Sequence, residues 1–262
     1  MKKYLVIGNP IEHSLSPKLH NYWFNLYNID SLYKKKEVQE TDLEKIISQV
    51  KENKISGINV TVPFKKTIIK YLDTLSEVAK KTQSVNTIFM HKNKIYGHNT
   101  DCKGFERSLI ETGFNTIGKT AFIIGAGGVT SSIILALEIS GVKKIYISNR
   151  TKQKVEEIKK IFPKIEIIEW GKKPSQFDIV INTTSVGLKE KDEIEIDFTD
   201  CNNKLFYDLI YSMKTKFLKN REKTNYTKDG IAMFAYQAQE AFECWEGFKP
   251  NIDEKLWEIL KN

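Results

Sequence analysis

The stretch TAFIIGAGGVTSSIILALEISG, residues 120–141, joins two apolar runs through a glycine-rich turn. The first run has the length of a buried strand, and the second is long enough for a helix. Gly125 permits a tight turn, and Gly127 lets the backbone N–H groups at a helix terminus approach a pyrophosphate. Thr130 stands in place of the usual third glycine. The stretch predicts a dinucleotide-binding turn at 125–130, with a plain strand-to-helix turn as the alternative.

The next apolar strand, KKIYIS, runs into the sequence SNRT at 148–151. At this distance from the glycine turn, dinucleotide-binding folds carry an acidic residue for the ribose 2′-hydroxyl. This chain instead has Arg150, with Asn149, Thr151 and Lys154 nearby. These side chains could hold a 2′-phosphate through charge-assisted hydrogen bonds. The pattern favours NADP over NAD; the alternative is a solvated arginine at a strand end.

Strand and helix patterns alternate along the chain in two series that join near residue 102. The first series predicts strands in YLVIG, LYKKKEV and GINVTVPF, helices from Ser16, at 41–52 and at 65–80, and a hairpin in IFMHKNKIYG. The second predicts strands in TAFII, KKIYISNRT, EIIEW, FDIVINTTSVG and KLFYDLIY, and helices at 102–112, after the glycine turn and at 152–162. Two helices follow, the last at about 253–260. The fold class is therefore α/β, with a parallel or mixed sheet first and a doubly wound sheet second.

The composition is that of a globular protein of 262 residues, 40% apolar and 28% charged. No run reaches the roughly 18 apolar residues that span a bilayer, and the start MKKYLVIGNP is not typical of a signal peptide. We expect a cytoplasmic protein without membrane contact. Three separated cysteines indicate neither a disulfide framework nor a metal site. The net charge of +8 comes from lysines spread along the chain, so a nucleic-acid partner rests on charge alone.

The sequence HSLSP at 13–17 contains two serines of different expected roles. Ser16 precedes Pro17, and a hydroxyl before proline is typical of a helix N-terminus. Ser14 lies outside that cap, and no capping box accounts for it. We therefore expect Ser16→Ala to cost about 1 kcal/mol of stability, and Ser14→Ala mainly to raise the KM of a ligand.

The sequence NVTVPFKK at 59–66 predicts Val60 and Val62 on one strand face and Asn59 and Thr61 on the other. Lys65 would lie in the first turn of the helix at 65–80, where the macrodipole disfavours a cation. A lysine whose neutral form is favoured can act as a general base. The alternative is an ordinary exposed lysine without a catalytic role. For Asn86 the sequence is consistent with a turn residue or a catalytic residue. For Asp101 it is consistent with a helix cap or a catalytic residue.

Taken together, these stretches resemble the shikimate dehydrogenase family. The resemblance runs in order through GNPIEHSLSPKLHN, GINVTVPFKK, SVNTI, GHNTDCKGF, GAGG, NRT, NTTSVG, DLIY and DGIAMFAYQAQEAFECWEG. It implies an NADP-dependent oxidoreductase that interconverts 3-dehydroshikimate and shikimate on the route to chorismate and the aromatic amino acids. The substrate is then a small molecule, and the state of assembly, monomer or homodimer, is left open.

The resemblance also implies roles for single residues. Lys65 matches the proton acceptor, and Asp101 matches the carboxylate beside it. The substrate-binding positions match Ser14, Ser16, Thr61, Asn86, Tyr211 and Gln237. The cofactor-binding positions match Gly125, Ala126, Gly127, Gly128, Val129, Asn149, Arg150, Thr151, Lys154, Leu209 and Gly230. The family architecture implies a substrate domain at 1–102 plus 232–262, a Rossmann NADP-binding domain at 103–231, C-terminal helices that pack on the substrate domain, and an active site in the cleft.

Three residues depart from the family pattern. Thr183 in NTTS replaces the usual alanine, Met213 replaces proline, and Ala232 replaces glycine. We expect them near the nicotinamide, where they would affect cofactor affinity and rate. The alternatives are a relative that uses quinate or aminoshikimate, and a non-catalytic sensor of shikimate-like acids or NADP. The presence of both Lys65 and Asp101 argues against the sensor, because a protein that only binds needs neither.

Overall fold

The computed structural model describes residues 1–189 and 192–261. The strands of this part of the chain are β1 (Lys2–Gly8), β2 (Ser31–Glu37), β3 (Gly57–Val60), β4 (Thr74–Leu75), β5 (Thr87–His91), β6 (Lys94–His98), β7 (Thr120–Ile124), β8 (Lys144–Ser148), β9 (Glu166–Ile167), β10 (Ile179–Asn182), β11 (Leu205–Asp208) and β12 (Tyr226–Lys228). Its α-helices are α1 (Ser16–Leu26), α2 (Leu43–Lys51), α3 (Glu77–Thr82), α4 (Asp101–Glu111), α5 (Thr130–Ile139), α6 (Lys152–Ile161), α7 (Lys216–Lys219), α8 (Ile231–Glu246) and α9 (Glu254–Lys261). Short 3-10 helices cover Glu40–Asp42 and Thr67–Tyr71.

The chain divides into two compact units. The first contains Met1–Gly104 and the C-terminal residues from Ala235, and the second contains Phe105–Phe234. The divisions fall inside α4 and α8, close to the predicted boundaries at 102 and 232. Residue 262, the predicted end of the substrate domain, lies outside the described residues. Within those residues, no helix is long and apolar enough to cross a membrane.

The sheet of the first unit has the strand order β2-β1-β3-β5-β6-β4. β1 pairs in parallel with both β2 and β3, whereas β5 is antiparallel to β3 and to β6. The prediction of a mixed sheet covered by helices is confirmed. The apolar side chains of β3, α2 and the 3-10 helix at Thr67–Tyr71 form one buried cluster around Ile58 and Ile68. This cluster fixes the strand ends from which the candidate site is built.

The C-terminal helices pack on the first unit, as predicted. Tyr22 of α1 donates a hydrogen bond to Asp253, and the Trp23 indole donates to the carbonyl of Asn251. Rings from β1, α1, β2 and α8 form an aromatic cluster: Tyr4, His20, Trp23, Phe24, Tyr33, Phe242 and Trp245. His20 lies at its centre and stacks on Tyr33 with 4.5 Å between ring centroids. Neither His20 ring nitrogen has a hydrogen-bond partner among the described residues.

His20 makes the stability of the protein depend on pH. Burial lowers the pKa of His20 from 6.5 to about 3, because the cluster cannot solvate an imidazolium. Between these values the unfolded chain binds a proton that the folded chain does not, so acidification below pH 6.5 favours unfolding. We expect a loss of about 2 kcal/mol in the free energy of unfolding by pH 5 from this group.

The measurement is urea unfolding at pH 7.5 and pH 5.0 for the wild type and for His20→Phe. Carboxylates contribute equally to both proteins, so the difference between the two pH dependences isolates His20. The exposed His13 provides the control His13→Gln, which should behave as the wild type. Identical pH dependences in wild type and His20→Phe would contradict this explanation.

The second unit contains a fully parallel sheet in the order β12-β11-β10-β7-β8-β9. This order is typical of the doubly wound dinucleotide-binding fold, whose ligands bind where the strand order reverses, here between β7 and β10. The predicted Rossmann domain is confirmed. β7 is wholly apolar and buried from Ala121 to Ile124, as is typical of a central strand in a parallel sheet.

The predicted helix at 65–80 is wrong. Residues 62–66 form a turn, which leads to the 3-10 helix, β4 and the six-residue α3. The helix is interrupted because Thr74 and Leu75 pair with Tyr96 and Gly97 of β6. The expected strand GINVTVPF also ends early, at Val60, and Val62 is exposed instead of continuing the buried face.

Candidate active site

The carboxyl ends of β1 and β3 place two of the predicted substrate-binding segments at one sheet edge. The strands are parallel neighbours, with Ile7 opposite Val60. The backbone N–H of Asn9 donates to the carbonyl of Val62, and a Cβ on Gly8 would lie 2.5 Å from the Thr61 side chain. The loop that leads to Ser14 therefore starts against the turn that carries Thr61.

The hydroxyl that supports the start of α1 belongs to Ser14, not Ser16. Ser16 is the first helical residue, the N-cap position is Leu15, and no side chain makes a cap hydrogen bond. Ser14 Oγ accepts the Ser16 backbone N–H at 3.3 Å. The predicted cap at Ser16 is wrong because Leu15 already has helical backbone angles, φ −85° and ψ −5°. Both serines lie at the N-terminal end of one helix, where an anion is favoured.

This geometry changes the expected effects of the two serine substitutions. Ser14→Ala should lower the free energy of unfolding by about 0.5–1 kcal/mol, because it removes a hydrogen bond, and Ser16→Ala by less. Ser76→Ala is the matched control, since Ser76 caps α3 by accepting the Ala79 N–H at 3.1 Å; its loss should be about 1 kcal/mol. Urea unfolding without ligand measures all three. A larger loss for Ser16→Ala than for Ser14→Ala would restore the original prediction.

Lys65 and Asp101 form a buried ion pair. Lys65 Nζ lies 2.5 Å from Asp101 Oδ2, and the two residues are 9% and 4% exposed. Lys65 lies in the turn after β3, where its carbonyl accepts the Val85 N–H, and Asp101 is the first residue of α4. The macrodipole argument for Lys65 fails because no α-helix begins there; the turn leads only to the short 3-10 helix at Thr67–Tyr71. The Asp101 carboxylate, in direct contact with Lys65 Nζ, is the charged partner of this lysine.

Asn86 connects this pair to the predicted Gln237. Its side-chain nitrogen donates to Asp101 Oδ1 at 2.9 Å and contacts Gln237 Oε1 at 3.3 Å. Asn86 directly precedes β5, and Gln237 lies on α8, whose backbone packs against Gly104 of α4. The structure therefore brings Lys65, Asp101, Asn86 and Gln237 into direct contact. Sequence analysis missed the buried polar side chains that connect to Asn86 through hydrogen bonds, because they lie on strands that are far apart along the chain.

The glycine-rich turn in the second unit has the geometry of a dinucleotide site. Gly125 has φ +114°, and a Cβ there would lie 2.5 Å from Thr183 Oγ1, so both backbone conformation and space require glycine. Ala126, Gly127, Gly128 and Val129 continue the turn into α5, with Gly127 and Gly128 exposed. Thr130 replaces the third glycine without loss of packing, because its hydroxyl lies 3.0 Å from Thr183 Oγ1.

Two further strand ends carry the other predicted cofactor residues. Asn149, Arg150 and Thr151 follow β8, Arg150 is exposed, and Lys154 is exposed on α6. After β11, Leu209 approaches Gly230 so closely that a Cβ on Gly230 would overlap the Leu209 carbonyl oxygen. These strands flank β7 and β10, so the predicted residues lie at the edge of the sheet where this fold binds nucleotides.

Asp208, which sequence analysis missed, organises the loop after β11. Its buried carboxylate accepts hydrogen bonds from the Thr215 hydroxyl at 2.5 Å, the Asn182 amide at 3.0 Å and the Ile210 N–H at 3.1 Å. Burial raises the pKa of Asp208 to about 6. The same loop carries Tyr211, whose ring stacks on Phe234 at 4.7 Å.

The three departures from the family pattern lie in the second unit. The Thr183 hydroxyl faces the glycine-rich turn and donates to the Ile124 carbonyl at 3.0 Å. Met213 is 40% exposed in the loop after β11, and Ala232 is buried at the start of α8. Thr183 is thus placed to affect the dinucleotide turn itself.

The fold and these groups define a class of protein. A doubly wound sheet with a dinucleotide turn and an arginine after β8 accommodates NADP. A buried lysine and carboxylate provide the means to accept and return a proton at an alcohol or carbonyl. The class is an NADP-dependent oxidoreductase, in which the cofactor carries the redox step.

Comparison with known proteins identifies the family. Residues 6–88 match the family model "Shikimate dehydrogenase substrate binding domain", and residues 108–208 match "Shikimate / quinate 5-dehydrogenase". The chain is 52% identical over 262 residues to the NADP(+) shikimate dehydrogenase of Pelagibacter ubique, covering 99% of this chain and 98% of that one. The chain belongs to the shikimate dehydrogenase family.

Solved structures agree with this assignment. The crystal structure of shikimate dehydrogenase from Aquifex aeolicus superposes with a TM-score of 0.89 at 35% identity, covering 99% of this chain and 97% of that chain. The enzyme from Listeria monocytogenes, solved in complex with shikimate and NAD, gives a TM-score of 0.89 at 30% identity, covering 99% and 96%. The predicted family, fold class and cofactor are confirmed.

Proposed function

We propose that this chain catalyses the reversible, NADP-dependent reduction of 3-dehydroshikimate to shikimate. In this proposal Lys65 accepts and donates the proton, and Asp101 assists it. The reaction follows from membership of the shikimate dehydrogenase family. The roles of single residues rest on the site geometry. The buried contact of 2.5 Å between Lys65 Nζ and Asp101 Oδ2 carries this assignment.

Oxidation of shikimate removes a hydride from carbon and a proton from the attached hydroxyl oxygen. NADP⁺, when bound, supplies the hydride acceptor. Lys65 Nζ accepts the hydroxyl proton, and the negative charge of Asp101 stabilises the ammonium group that forms. In the direction of reduction, the same Nζ returns the proton to the carbonyl oxygen.

The remaining predicted residues bind and orient. Ser14 and Ser16, at the N-terminal end of α1, would hold the substrate carboxylate through their hydroxyl groups. Thr61, Asn86 and Gln237 would present polar groups to the ring hydroxyls, and Tyr211 stays a predicted substrate-binding residue. Arg150, assisted by Asn149, Thr151 and Lys154, would bind the 2′-phosphate of NADP.

A non-catalytic sensor is the competing class of function. A binding protein gains nothing from a lysine buried against an aspartate, because burial of two charges costs free energy that only good pairing offsets. The test is incubation of the protein with 3-dehydroshikimate and NADPH, followed by chromatography against authentic shikimate. Catalysis predicts one shikimate formed for each NADPH consumed, over many turnovers per protein. Substrate depletion limited to one equivalent of protein would support the sensor.

A further inference from the structure

A continuous line of buried polar side chains leads from the aromatic cluster of the first unit to the Lys65–Asp101 pair. Its members come from β2, β3, β5, the residue before β5 and the first residue of α4, and each is at most 7% exposed. In order they are Tyr33, Asn59, Thr87, Asn86 and Asp101. The consecutive hydrogen bonds measure 2.6, 3.2, 3.0 and 2.9 Å.

The orientation of Asn59 in this line is fixed by its neighbours. Asn59 Nδ2 lies 3.0 Å from the backbone carbonyl oxygen of Asn86, which can only accept a hydrogen bond. Asn59 Oδ1 therefore faces Tyr33, whose hydroxyl must donate. The second hydrogen on Asn59 Nδ2 is directed to Thr87 Oγ1.

The orientations of Thr87 and Asn86 follow in the same way. Asn86 Oδ1 lies 2.8 Å from the backbone nitrogen of Thr100, which can only donate, so the Asn86 amide nitrogen must face Asp101. Thr87 accepts from Asn59 and has one hydrogen, which it donates to Asn86 Oδ1. Every member thus donates in the direction of Asp101.

We propose that Tyr33, Asn59 and Thr87 are positioning residues, which form a directed chain of hydrogen-bond donors that holds Asp101 charged and correctly placed against Lys65. This inference rests on the proposed function of the Lys65–Asp101 pair. Successive donors polarise one another, and the effect is larger in a buried site than in water. The terminal acceptor is a carboxylate, to which hydrogen bonds are stronger than to a neutral group.

The aromatic cluster supports the first donor of the chain. Tyr33 stacks on His20, and its backbone nitrogen and oxygen are both bound by the Asn21 side chain at 2.9 Å. Both the backbone and the ring of Tyr33 are therefore held in place. A Tyr33→Phe substitution removes the donor while the ring can keep its stacking position.

The first test compares Tyr33→Phe with Tyr4→Phe. Tyr4 is equally buried in the same cluster, and its hydroxyl donates at 2.5 Å to Glu246, outside the chain. For the reduction of 3-dehydroshikimate, Tyr33→Phe should lower kcat about 2- to 10-fold, as expected for one hydrogen bond, with little change in KM.

Lys65 contacts Asp101 and is present in every variant of this test. Tyr4→Phe should leave kcat and KM in place, whatever its effect on stability. Equal kcat values for Tyr33→Phe and Tyr4→Phe would overturn the proposal.

Thr87 provides a second test that does not depend on the aromatic cluster. Thr87→Val removes the hydroxyl at nearly constant volume, and Thr87→Ser keeps it. We expect Thr87→Val to reproduce the fall in kcat with little change in KM, and Thr87→Ser to resemble the wild type. Equal behaviour of both variants would count against the chain. Failure of the wild type to reduce 3-dehydroshikimate would instead reject the proposed function, so the two failures are distinguishable.

Discussion

Lys65→Ala is expected to lower kcat for shikimate oxidation by about 10²- to 10⁴-fold, the usual contribution of a general base. The KM for shikimate should change little, because the proposed binding residues Ser14, Ser16 and Asn86 are unchanged. The loss arises in the transition state, because the variant lacks the amine that is proposed to take the hydroxyl proton. Steady-state rates across a range of shikimate concentrations at saturating NADP⁺ separate kcat from KM.

The adjacent Lys66 provides the control. Lys66 is exposed, so Lys66→Ala removes the same charge one residue away from the buried pair and should retain wild-type kcat. Removal of Lys65 also leaves Asp101 buried without its cation, so an unfolding curve must show that Lys65→Ala is folded under assay conditions. A raised KM with unchanged kcat would make Lys65 a binding residue.

Arg150→Ala is expected to raise the KM for NADP⁺ by about 10- to 100-fold, because hydrogen bonds to a charged group contribute about 1.5–3 kcal/mol. The KM for NAD⁺ should change little, since NAD⁺ has no 2′-phosphate. The ratio of kcat/KM for the two cofactors therefore falls by the same factor. Initial rates with each cofactor, at saturating shikimate, give this ratio directly.

Lys152→Ala is the matched control for Arg150. Lys152 is exposed two residues further along, and its side-chain nitrogen lies 3.7 Å from Glu156. Lys152→Ala lowers the net charge by the same amount as Arg150→Ala, but we assign Lys152 no contact with the cofactor. An equal loss of NADP⁺ affinity in both variants would mean that Arg150 acts only through overall charge. Equal losses for NADP⁺ and NAD⁺ would place it away from the 2′-phosphate.

The dinucleotide half of the fold was predictable because its signals are local. The glycine turn, the apolar strand before it and the arginine after the next strand follow one another within residues 120–151. Gly125 shows why the signal is strong: its positive φ and its contact with Thr183 both exclude a side chain. Such requirements appear in the sequence as residue types at fixed spacing.

The segment around Lys65 shows where local signals fail. The spacing of Ile68, Ile69, Leu72 and Leu75 favours a helix, yet Thr74 and Leu75 pair with β6. A tertiary strand pairing overrides helix propensity, and its partner lies more than twenty residues away along the chain. The helix prediction and the macrodipole argument failed together for this reason.

The candidate site was only partly visible in the sequence. Ser14, Lys65, Asn86 and Asp101 were singled out by their local sequence context and also match motifs of the family, and their roles stay predictions. Tyr33 and Asn59 are separated by 26 residues, and Asn59 and Thr87 by 28. Only the packing of β2, β3 and β5 in one sheet brings these side chains together, so no local pattern could reveal the hydrogen bonds between them.

The most direct test of the account is a set of four steady-state measurements on the wild-type protein: oxidation of shikimate and of quinate, each with NADP⁺ and with NAD⁺, followed by absorbance of the reduced cofactor. We expect multiple turnovers with shikimate and a kcat/KM for NADP⁺ that exceeds that for NAD⁺. A preference for quinate with NAD⁺ would contradict the assigned roles of the substrate site and Arg150. Measurable binding of shikimate and NADP⁺ without turnover would contradict the central claim that Lys65 and Asp101 perform catalysis.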